Sequence, residues 1–171
     1  VAGELAKEFG LKLFNGGDIL KKLAGERGYL VAGGDWWDGE EAKKFMAERL
    51  TSTCFDKEVD QRLMEIAESG NAVITSYTLP WLTENTIKFW LRGSQNNRAK
   101  RMANRDKINF LEAKKIVRLR DDENKKIYRK LYGINFGDDL TVFDFIINTD
   151  LLSLISLIEI SKQMMRHVLN K

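Results

Sequence analysis

The sequence has one cysteine, one proline and one histidine in 171 residues. A lone thiol at Cys54 excludes an internal disulfide and fits a reducing, cytoplasmic setting. With no histidine near it in sequence, Cys54 reads as a small packing or loop residue, not a nucleophile. His167 lies near the C-terminus, where a basic group suits the end of a helix, so neither a Cys/His zinc cluster nor a Ser-His-Asp constellation can be assembled. Long apolar runs are also missing. The most apolar stretch, Leu151 to Ile160, is broken by Ser153, Ser156 and Glu159 and is about half the length of a membrane span; it reads as a buried helix. No signal peptide, internal repeat or low-complexity segment is visible. There is no initiator Met either, and Val1 to Ala6 already runs in helical rhythm, so the chain is expected to open inside an element.

What is present is a core-forming composition with a localised charge. With 43% apolar and 31% charged residues, the chain can bury one sizeable core as one domain. Residues 92–132 hold 14 of the 28 Lys+Arg but five of the 25 Asp+Glu, a local charge of +9 against −6 for the remainder. Charge this concentrated expects phosphate. Two meanings compete: a nucleic-acid patch, or a lid closing over a phosphorylated small molecule.

Periodicity supplies the scaffold. Ala2, Leu5, Ala6 and Phe9 follow helical spacing up to Gly10. Leu11 to Phe14 is a strand, and Asn15 to Asp18 is turn chemistry leading into a helix through Leu23 that ends at Gly25 or Gly28. Asp38 with Glu41 forms a capping box for a helix over 39–49, and a longer helix spans 56–69. Strands follow at 71–75 and 86–91, with Pro80 marking a loop between them. Helices fill the basic segment, and a strand at 141–148 precedes a last helix over 150–169. Short strands alternating with helices predict a parallel sheet covered on both faces. In such sheets ligands bind beyond the carboxyl ends of the strands. This places Asn15–Asp18, Ser76–Trp81, Arg92–Arg105 and Asn148–Asp150 on one rim. The basic cluster then points over a pocket, which disfavours a duplex partner.

The order of Gly17-Asp18-Ile19, Asp56-Lys57-Glu58-Val59-Asp60, Ala67 to Ile74, Ile87 to Leu91, Arg98-Ala99-Lys100-Arg101, Arg105, Arg120, Tyr128, Tyr132-Gly133-Ile134, Asp144 and Ile147-Asn148-Thr149 resembles the P-loop nucleoside monophosphate kinases, most closely the archaeal-type cytidylate kinases. The resemblance covers nearly the whole chain. It implies a three-layer α/β/α P-loop NTPase fold with a parallel sheet, a helical acceptor-binding insertion over about 28–69 and a helical lid over about 92–132. The core would comprise 1–27, 70–91 and 133–171. It implies transfer of a phosphoryl group from ATP, with Mg²⁺, to CMP or dCMP, by a monomer whose partners are nucleotides and not membranes or nucleic acid. Such transfer needs position and charge more than covalent help. Arg98, Arg101, Arg105 and Arg120 are the catalytic candidates, with Arg118 nearby, offsetting charge on the transferring group while a closed lid excludes water.

In that family a strand and a Gly-rich loop ending in Gly-Lys-Ser/Thr precede the helix that matches Val1 to Phe9. No such loop occurs in residues 1–171. The resemblance therefore implies that roughly 15 residues, one short strand and one loop, come before Val1 in the natural chain.

The acceptor side departs from the family pattern. Lys21 stands where an Arg is usual, keeping the charge but losing the bidentate fork. Thr75-Ser76-Tyr77 replaces Glu-Gly-Arg, and Ile127 replaces an Arg. Asp18, Lys21, Asp60, Tyr77 and Asp144 are the substrate-binding candidates. For Asp60 a solvated helix-face charge is the favoured alternative; for Asp144, pairing with a lid arginine or substrate hydroxyl and a structural hydrogen bond weigh evenly. Trp36 or Trp37 could stack on a base, or pack the acceptor region against the core. These exchanges leave a noncatalytic nucleotide-binding protein of the same fold as the rival to a kinase, with a nucleic-acid module third.

Overall fold

The computed structural model describes residues 1–31, 36, 40–52 and 54–170. The chain is mixed α/β and mostly helical, and it divides into two compact units, 1–86 and 87–171.

In the first unit, α1 (Ala2–Glu8) buries Leu5 and Ala6 and gives way at Gly10, whose φ of 64° suits a residue without Cβ. β1 (Lys12–Asn15) runs parallel to β2 (Ala72–Thr75), with Lys12 opposite Ala72 and Asn15 opposite Thr75. The turn expected at 15–18 is not formed. Asn15 ends the strand in extended conformation and the next residue already begins α2 (Gly16–Glu26). A Cβ on Gly16 would lie 3.4 Å from the Thr75 carbonyl oxygen, so a small residue lets the helix start against the neighbouring strand.

α3 (Glu40–Thr51) and α4 (Cys54–Ser69) complete this unit. Phe55, Val59 and Leu63 recur at i, i+4 and i+8, which places them on one face of α4. They bury against Leu20, Leu23 and Ala24 of α2 and Phe45 of α3. Burying each Phe or Leu stabilises by about 2–3 kcal/mol. Phe45 meets Tyr29 and Phe55 edge-on at 5.2 and 5.0 Å. Arg49 ties α3 to α4 through two bonds to the nearly buried Asp56. The loop expected at Pro80 instead contains one helical turn, α5 (Leu79–Leu82), with the proline in its first turn, where its missing N–H is not needed.

In the second unit, β3 (Phe89–Arg92) pairs in parallel with β4 (Phe145–Asn148), Phe89 opposite Phe145 and Arg92 opposite Asn148. β4 is shorter than expected because Thr141 bonds back to Asp139 through its amide and hydroxyl, a turn that holds 141 out of the ladder. α6 (Gln95–Asp106) and α7 (Phe110–Tyr132) form a hairpin, capped by Ser94 and Asn109 and held by Ala99, Ala113 and Val117 with Ile108 and Phe110. α7 continues beyond the hairpin to an aromatic cluster, where Tyr128 meets Phe136 at 5.4 Å and Phe136 meets Trp90 at 5.5 Å. The last helix, expected from 150, is split. A 3-10 turn (Thr149–Leu151) precedes α8 (Leu154–Leu169), because Ser153 accepts from the Ser156 amide and restarts the helix. No helix among the described residues is long and apolar enough to cross a membrane.

Candidate active site

At the carboxyl ends of β1 and β2, Thr75 donates to Asn15 Oδ1 at 2.7 Å and Asn15 Nδ2 donates to Asp18 at 2.8 Å. Asp18 is thus fixed on the strand ends, in the first turn of α2. It borders a groove of about 320 Å³ between β1, α2 and α4, together with Asn15, Lys22 and Arg62. Arg62 is bonded to Glu26 and Glu58. Hydrogen bonding from Arg62 holds the Glu26 carboxyl below its ordinary range. Lys21, one helical turn beyond Asp18, is half-buried and does not line the groove.

The segment after β2 is built around two hydroxyls. Ser76 Oγ accepts from the amides of Thr78 and Leu79, both at 3.2 Å. The Thr78 hydroxyl donates to Asp60 Oδ1, the two side chains being 2% and 4% exposed. The solvated-charge alternative for Asp60 is therefore overturned. Its position on α4 faces inward, alongside Asp56 and Val59, and burial of a carboxylate requires such a partner. Tyr77, between the two anchored residues, is 57% exposed. Trp36 is buried and packs on Phe45 at 5.9 Å, which is core packing and not a stacking surface. Trp37 and Asp38 lie outside the described residues.

The second unit carries the arginines. Arg98, Arg101 and Arg105 recur at i, i+3 and i+7 and so share one face of α6. Arg98 grips Asp121 of α7 through two bonds, at 2.9 and 2.7 Å. Arg101 Nη1 donates to the Thr149 hydroxyl at 3.1 Å, and that hydroxyl donates to the Arg92 carbonyl at 2.9 Å. Arg105 pairs with the adjacent Asp106, and this hydrogen bond, with a contribution from Arg120, pulls the Asp106 carboxyl below the usual range. Arg118 lies 4.0 Å from Asp122, both exposed. Asp144 sits at the amino end of β4, opposite the end where Arg92 and Asn148 lie. Its carboxylate accepts from the Lys88 amide at 2.7 Å, the structural hydrogen bond weighed for it.

Three partners carried no sequence signal of this role. In the sequence Asp121 is not singled out, Asp150 stands only on the rim after the last strand, and Thr149 stands on that rim and in the Ile147-Asn148-Thr149 motif. Asp150 accepts from the Ser94 amide at 3.0 Å, pinning the start of α6 to the turn after β4. The clue available was position alone, since Asn148 to Asp150 follow a strand on the ligand-binding rim.

Comparison with known proteins bears on this arrangement. The cytidylate kinase-like family matches residues 1–151. A protein named cytidylate kinase from Pyrococcus horikoshii is 36% identical over 147 residues, covering 85% of this chain and 70% of that protein. Its namesake from Pyrococcus abyssi is 34% identical over 168 residues, covering 98% and 86%. A third, from Pyrobaculum islandicum, is 34% identical over 163 residues, covering 94% and 82%. The match spans the strand ends of both units and the whole arginine hairpin, and by it the chain belongs to the cytidylate kinase-like family.

Proposed function

We propose that the protein transfers the γ-phosphoryl group of ATP to a nucleoside monophosphate, CMP or dCMP, giving ADP and the nucleoside diphosphate. The observation that carries this reading is the arginine face of α6, which starts at the carboxyl end of β3 with Arg101 already bonded to the strand-end turn. An acceptor phosphate is anionic near neutral pH and needs no strong general base, so fixed cations are the main requirement. Family membership and the name shared by the relatives support the same reaction.

In this proposal Arg98, Arg101, Arg105 and Arg120 contact the phosphates of ATP and the transferring group. Asp18, Lys21 and Tyr77 face the acceptor. Asp60 holds the Tyr77 segment through Thr78, and Asp144 contributes by tying the amino end of β4 to Lys88. Family membership supports a three-layer α/β/α P-loop fold for the chain. Residues 28–69 form the acceptor region and 92–132 the lid. The protein acts as a cytoplasmic monomer on free nucleotides. ATP enters with Mg²⁺. Among the described residues no group of three or more His, Cys, Asp or Glu side chains converges, so none of them is assigned to the ion.

The test is ADP formation by the complete natural chain, supplied with ATP, Mg²⁺ and each of CMP, dCMP, UMP, AMP and GMP. CMP or dCMP is expected to give the highest kcat/KM. A folded protein that binds ATP and releases no ADP with any acceptor overturns the proposal.

A further inference from the structure

We propose that Thr149 is a positioning residue, whose hydroxyl holds the Arg101 guanidinium over the carboxyl ends of β3 and β4, ready to meet a nucleotide phosphate. This rests on the phosphoryl-transfer reading above. The three arginines of the α6 face are held differently. Arg98 and Arg105 are each bonded to a carboxylate, at Asp121 and Asp106. Arg101 is bonded to a neutral hydroxyl, which orients a guanidinium without neutralising it. Of the three, it is the one whose charge an arriving phosphate meets without first displacing a bonded carboxylate.

The hydroxyl is itself fixed. Thr149 is 7% exposed and donates to the Arg92 carbonyl. The turn that carries it is pinned on both sides, by Asn148 Oδ1 accepting from the Asp150 amide at 3.1 Å and by Asp150 accepting from the Ser94 amide. The guanidinium lies against bare backbone: Nη2 is 2.5 Å from where a Cβ on Gly93 would stand. It is therefore seated on the strand ends, while Arg101 as a residue remains exposed. A cation held in place and open to solvent costs little reorganisation when a ligand arrives.

The experiment is a double-mutant cycle in the complete natural chain. Thr149→Val and Thr149→Ser are made alone and with Arg101→Ala, reading kcat/KM for ATP and, separately, ATP affinity by calorimetry. Thr149→Val is expected to lower kcat/KM by about tenfold. Thr149→Ser, which keeps the hydroxyl, should stay within about twofold, and Thr149→Val should have no further effect once Arg101 is alanine. An equal loss in both backgrounds, or no loss in the folded single variant, overturns the inference. If Thr149→Val unfolds, Thr149→Ala removes the hydroxyl without adding bulk and replaces it in the cycle. A wild-type chain that binds ATP without turnover removes the phosphoryl-transfer reading, and the same cycle read in ATP affinity still decides the role of Thr149. A wild-type chain that binds no ATP removes the inference as well.

Discussion

Arg98 on α6 and Asp121 on α7, 23 residues apart, form a two-pronged ion pair across the basic hairpin, at 2.9 and 2.7 Å. Gln95 donates to the same carboxylate at 3.2 Å. The fork that would grip a phosphate is thus already occupied by a carboxylate, and an incoming nucleotide has to compete with it.

Asp121→Asn is accordingly expected to tighten ATP binding severalfold, measured by calorimetry at fixed ionic strength. Because the pair is 39% and 21% exposed, its loss should cost about 1 kcal/mol of stability or less, read as a small shift of the urea midpoint. Weaker ATP binding in this variant would instead make Asp121 an orienting partner of Arg98.

Asp60→Ala should destabilise by about 2 kcal/mol, because the buried Thr78 hydroxyl loses its acceptor. Urea unfolding of the variant checks this. The same change frees the segment carrying Tyr77, so KM for the acceptor should rise while KM for ATP stays nearly constant. An unchanged acceptor KM would separate Asp60 from substrate binding.

Lys21→Ala and Tyr77→Phe probe the acceptor side directly. Each is expected to raise KM for CMP, the lysine change by about tenfold because a charged contact to phosphate is lost, with little effect on KM for ATP. If ATP KM moves as much as CMP KM, these residues do not belong to the acceptor site.

Hydrogen bonds from the Ser94 hydroxyl and amide, with smaller help from Asn97 and Arg101, hold the Asp150 carboxyl below the ordinary aspartate range. A depressed carboxylate stabilises the folded form above the unfolded pKa of about 3.9 and loses that contribution as pH falls through its lower folded value. The junction between the 148–150 turn and α6 should therefore stay intact at neutral pH and loosen below about pH 4. Exchange of the Ser94 amide, followed by NMR, checks this, and Asp150→Asn should abolish the pH dependence.

The helices of this protein are legible because their apolar spacing repeats over many turns. Phe55, Val59 and Leu63 announce α4, and Leu20, Leu23 and Ala24 announce α2. The strands, four residues each, are too short for such averaging, and 141–144 had β-branched and aromatic residues yet turns away because Asp139 captures Thr141. Gly16-Gly17 looked like a turn for the same local reason, although its small size serves the approach to Thr75. At the candidate site the arginines were visible from their charge and spacing. The residues that fix them and the start of their helix were not, since Thr149, Asp121 and Asp150 acquire meaning through contacts 23 to 56 residues away in sequence. Asp60 shows the opposite difficulty, an acid on a helix whose inward direction is fixed by tertiary packing.

α7 runs unbroken for 23 residues, from Phe110 inside the hairpin to Tyr128 against Phe136. Between those two aromatics lie about 27 Å of stiff rod. A tilt of about 10° at the Tyr128 end would carry the Phe110 end through an arc of about 5 Å. The indole of Trp90 meets Phe136 edge-on, and Phe136 meets Tyr128, so any such tilt would be read in the fluorescence of Trp90.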